Sequence, residues 1–99
     1  SVTLPSLPSV RDAVLRAAVA GVDSTLASLS TDDREQRRAV EALQKSWQRA
    51  GADIVAGKKP QDAVAGFRDD IDKQQQAGRL GVLEAEALRL AVGAVAAAL

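Results

Sequence analysis

The chain has 99 residues, among them 20 Ala, 11 Leu and 11 Val but only one Trp, one Phe and no Tyr, and its thirteen basic residues balance thirteen acidic ones. This length bounds a single domain, and the absence of Cys and His removes disulfides and the usual ligands of zinc, copper, haem and iron–sulfur centres. Zero net charge lacks the basic excess of a nucleic-acid binder, and the uncharged run at 90–99 is half the roughly 20 apolar residues that a bilayer span needs.

Residues 1–8 carry Pro5, Pro8 and two serines, which predicts an extended lead-in to a domain covering 9–99. Such a stretch suits a tether behind a signal or lipid-anchor site of an exported bacterial protein, and equally suits a frayed terminus. The first helix is expected from Ser9, where Ser9 and Asp12 form an S-x-x-D variant of the capping box. Leu15, Ala18, Val22, Leu26 and Leu29 then recur at spacings of three and four, with Asp12, Arg16 and Asp23 off that stripe.

Ser30 reads as the N-cap of the second helix, followed by Asp32, Asp33 and Glu35 at its positive end. Its stripe, Val40, Leu43, Trp47, Ala50 and Ile54, has heptad spacing over two heptads, enough for bundle packing and too short for a free coiled coil. Gly57 is the expected terminator. Pro60 opens the third helix, whose inner face is Val64, Phe67 and Ile71 and which ends before Gly78. Trp47 and Phe67 are read as core residues or partner contacts.

The fourth helix starts near Gly81, with Glu84 three residues on as in a capping box and Leu80 as the staple. It carries two apolar stripes: Leu80, Leu83, Ala87, Leu90 and Ala94, and beside them Leu88, Val92, Val95 and Leu99. Together they exceed the stripe of about 100° that a surface helix shows. The helix is therefore central to the bundle or shared with another chain, and Leu88, Val92, Val95 and Leu99 are the expected interface. With no alternating strand pattern and short connections throughout, the predicted fold is all-α, an antiparallel up-down four-helix bundle with an Ala/Leu/Val-rich core.

Three near-motifs fail on their chemistry. Residues 73–84 place Gly78 and Glu84 as in an EF-hand loop, but Lys73, Gln75 and Ala77 stand where calcium needs oxygen ligands. Residues 51–59 resemble a P-loop one residue too long, with no preceding strand and no Ser or Thr after the Lys. Trp47 does not mark a small secreted WXG-type hairpin, because Arg49 stands where the Gly belongs and the Trp falls inside a continuous seam.

Residues 31–59 carry seven basic and five acidic side chains, and 60–79 three and four. Glu41 interrupts the basic stripe of Arg34, Arg38, Lys45 and Arg49, and no aromatics are interleaved for base stacking. The expected arrangement is a solvated face with a few weak pairs to the third helix, and no nucleic-acid partner. Without a His base or an inward-facing charged cluster, neither catalysis nor a cofactor is expected. The function read from the chain is a non-enzymatic module binding another protein through an apolar helix face. The alternatives are a structural domain dimerising through the fourth helix, and a small-ligand carrier or enzyme with a carboxylate/Arg site assembled across helices.

Overall fold

The computed structural model describes residues 6–29 and 32–99, with side chains of the first helix from residue 12 onward. Four helices follow in order: α1 (Ser6–Ser28), α2 (Arg34–Ala56), α3 (Pro60–Gln76) and α4 (Val82–Ala98). Each packs on its sequence neighbours and α4 closes the ring against α1, the backbones of diagonal pairs standing further apart. The short connections force neighbours to run antiparallel, so the fold is the up-down four-helix bundle that the apolar patterning predicts.

The helix ends show why the breaks fall where they do. Gly57 (φ 76°) closes α2 in a left-handed conformation, with the Lys58 N–H donating to Asp53 O at 2.8 Å and the Gly57 N–H to Ile54 O at 3.2 Å. Gly78 (φ 73°) repeats this at the end of α3, where the Arg79 N–H donates to Gln74 O and the Gly78 N–H to Gln75 O, both at 3.0 Å. Both are Schellman motifs, which glycine adopts without the Cβ penalty of other residues. Pro60 takes the first position of α3, where its missing N–H costs nothing. Gly81 caps α4 in an extended conformation, and the Glu84 carboxylate folds back into the space that a Cβ on Gly81 would fill.

Two expected boundaries move. Helix α1 starts at Ser6, so Ser9 lies inside it and the extended lead-in loses residues 6–8; residues 1–5 lie outside the described part. Pro8 is compatible with this start because the first turn of a helix has no N–H partners to lose. The N-cap of α2 is Asp33, in an extended conformation (φ −91°, ψ 135°), and Ser30 lies outside the described residues. Asp33 makes no side-chain cap hydrogen bond, and the Arg37 N–H donating to Asp33 O at 2.9 Å starts the ladder there.

The core takes Val22 and Leu26 from α1, Leu43, Trp47 and Ile54 from α2, and Val64, Phe67 and Ile71 from α3, with Ala85, Leu88, Val92 and Val95 from α4. No polar or charged residue is buried among the described residues. Trp47 and Phe67 are its largest members, with ring centroids 4.7 Å apart and planes tilted by 53°. The Trp47 indole Nε1–H donates to Val19 O on α1 at 3.1 Å, which satisfies the one polar atom of the ring. Gly51 lets α1 approach beside this ring: a Cβ there would stand 3.2 Å from Val19 Cγ1.

Gly66 is different. It is exposed in the middle of α3, and a Cβ would meet nothing within 4 Å. Gly66→Ala is therefore expected to stabilise the domain by about 0.5–1 kcal/mol, through better helix propensity and a less flexible unfolded chain. Urea denaturation followed by circular dichroism checks this. A loss of stability would mean that the α2/α3 surface is more crowded than the structure shows.

Candidate functional site: the outward α1/α4 face

Arg89 marks the flank of α4 that faces α3. Arg89 Nη2 donates to Asp72 Oδ1 at 2.6 Å and to Gln75 Oε1 at 2.5 Å, while Nη1 meets Glu86 Oε1 at 3.1 Å. Its hydrogen bond to Asp72 is the main influence raising the guanidinium above its ordinary pKa. Gly93 lies on the same flank, with Arg68 Nη2 3.9 Å from where its Cβ would be.

This orientation turns Ala85, Leu88, Val92 and Val95 inward, each with no exposed surface. The expected interface residues Leu88, Val92 and Val95 are thus interior packing of the single chain, and only Leu99, 36% exposed, reaches the surface. Trp47 and Phe67 are core side chains, each 1% exposed. The other stripe divides: Leu80 is buried in the core, while Leu83 and Leu90 face outward, 82% and 78% exposed. Beyond Leu80 that stripe alternates large and small, as Leu83, Ala87, Leu90 and Ala94, and so offers less apolar area per residue than Leu88, Val92 and Val95.

With α3 on the Arg89 flank, the opposite flank of α4, with Ala87, faces α1. On α1, Val19 faces α2, so Val14, Gly21 and Ser28 lie on the flank toward α4. The two helices together present Val14, Ala17, Gly21 and Ser24 beside Leu83, Ala87, Leu90 and Ala94. Val14 is 55% exposed, and none of these residues is charged. Asp12, Arg16 and Asp23 fall on the α2 side of α1, and Glu86 is drawn toward Arg89. The outcome is an exposed apolar strip along one side of the bundle, with charges confined to its margins.

The opposite seam, between α2 and α3, is an open groove of roughly 510 Å³ with Lys45, Arg49 and Asp53 on one bank and Asp69 and Asp70 on the other. Ser46 Oγ donates to Asp70 Oδ2 at 2.6 Å and links the banks. The expected ion pairs between α2 and α3 do not form among the described residues. Asp69 instead takes Lys73 of its own helix, at 3.1 Å. Two basic and three acidic side chains line this groove, so their fields largely offset one another. Among the described residues no three carboxylates gather as a metal site requires, and no helix is long and apolar enough to cross a membrane.

Compared with known families, curated proteins and solved structures, the chain matches none.

Proposed function

We propose that this domain is a non-enzymatic protein-interaction module whose contact surface is the outward face of α4 with the adjoining edge of α1. The observation that carries this reading is the exposure of Leu83 and Leu90, seven residues apart on one ridge, in a chain whose other leucines with described side chains are mostly interior. Full burial of a Leu side chain contributes about 1.5–3 kcal/mol, so two leucines on a rigid helix are credible anchors for a partner. Neighbouring Ala, Gly and Ser side chains let another helix approach closely, and contiguous exposed apolar patches mark interaction sites in soluble proteins. The α2/α3 groove supports the carrier or enzyme reading less well, because it is open to water and lacks convergent polar groups of one kind.

The test is co-purification from the source organism, with one tagged copy as bait and a differently tagged copy co-expressed. The bait is either the parent chain or the double variant Leu83→Asp/Leu90→Asp. Both positions are exposed, so the variant should keep its melting temperature within a few degrees. The parent is expected to recover a stoichiometric protein, foreign or the second copy, and the variant to lose it. Equal recovery by both baits, or none by the parent, would overturn the reading.

A further inference from the structure

We infer that the occupant of this face is a second copy of the same chain, with the two α4 helices packed antiparallel across a two-fold axis between residues 87 and 90. This rests on the reading of the α1/α4 face as the contact surface and names its partner.

The outward ridge of α4 alternates Leu83, Ala87, Leu90 and Ala94. In an antiparallel pair centred on this ridge, Leu83 meets the partner's Ala94 and Ala87 meets the partner's Leu90. Each large side chain then sits over a small one on both halves of the interface, as an isologous contact requires. A parallel pair would set Leu on Leu and Ala on Ala, alternately crowding and gapping the seam. Val14 falls level with the C-terminal half of α4, because α1 and α4 run in opposite directions. It therefore adds apolar surface beside Ala94, where the partner's Leu83 would land.

Charge also permits self-association. A patch that meets its own copy places like charges together unless it is neutral, and like-charge contacts across an interface cost about a hundredfold or more in affinity. The ridge carries no charged residue, and Glu86 at its margin is tied to Arg89. A stable dimer buries about 800 Å² per partner, roughly an eighth of the 6469 Å² surface of the chain, so the contact has to draw in the edge of α1 and the margins beside the ridge.

The experiment is sedimentation equilibrium of the purified chain from about 1 to 500 μM, a range set to bracket weak and strong dimers, with circular dichroism confirming the fold of each variant. The parent is expected to dimerise. Leu83→Glu alone and Ala94→Lys alone are each expected to weaken the dimer at least tenfold. Mixed one to one, they should recover a heterodimer, because the carboxylate introduced at position 83 of one chain then faces the ammonium introduced at position 94 of the other. A parent that stays monomeric throughout would overturn the inference and leave the interaction-module reading to stand or fall on capture of a foreign protein. Dimerisation untouched by either variant would place the interface elsewhere, and failure of the mixture to recover would exclude the antiparallel register.

Discussion

A chain carrying Leu88→Asp is expected to be unfolded at 25 °C, while Leu90→Asp, two residues further along the same helix, is expected to fold like the parent. Leu88 has no exposed surface and packs in the core cluster with Val92, Val95 and Ala85. Replacing it removes a buried side chain, at about 2–5 kcal/mol, and leaves a carboxylate in an interior with no buried polar partner, at several kcal/mol more. A domain of this size has about 5–15 kcal/mol of total stability, so the sum removes most or all of it. Leu90 is 78% exposed, and a surface change of this kind shifts stability by about 0.5 kcal/mol. Thermal melts by circular dichroism distinguish the two. The reverse pattern, with Leu90→Asp unfolded and Leu88→Asp intact, would mean that α4 is rotated and that the contact face lies on the other stripe.

The next largest effect is expected at Trp47. Trp47→Ala should destabilise the domain by about 3–5 kcal/mol, which for a chain of this length lowers the melting temperature by roughly 15–30 °C. The ring is 1% exposed, lies against Phe67 and bonds to Val19 O across the α1/α2 interface. Trp47→Phe keeps a ring and most of the volume, and should cost about 1–2 kcal/mol for the lost N–H bond and the unfilled space. The difference between the two variants, read by urea denaturation with circular dichroism because Trp47 is the only Trp, separates packing from hydrogen bonding. A Trp47→Ala chain as stable as the parent would show that the ring is not part of the core.

Helix α2 was the most legible element, and for a physical reason. Its apolar residues, Val40, Leu43, Trp47 and Ile54, lie on one narrow stripe, and the charged residues around them forbid any other rotation. Helix ends were readable where one residue type has a backbone reason to be there: Gly57 and Gly78 in the left-handed region, and Pro60 at the first position of α3. The start of α1 was not, because Ser9 with Asp12 offers a credible cap while Pro8 is compatible with a helix that begins earlier.

By itself, then, the sequence determined four helices, the breaks at Gly57 and Gly78, the antiparallel order and the inward faces of α2 and α3, since each depends on local backbone preference or on a single apolar stripe. Only the tertiary structure decided which side of α4 is interior. Both of its stripes are apolar, so periodicity alone cannot rank them. The choice depends on neighbours distant in sequence: α1 on one flank, and on the other α3, whose Asp72 and Gln75 meet Arg89 where Leu88 is buried and Leu90 faces solvent.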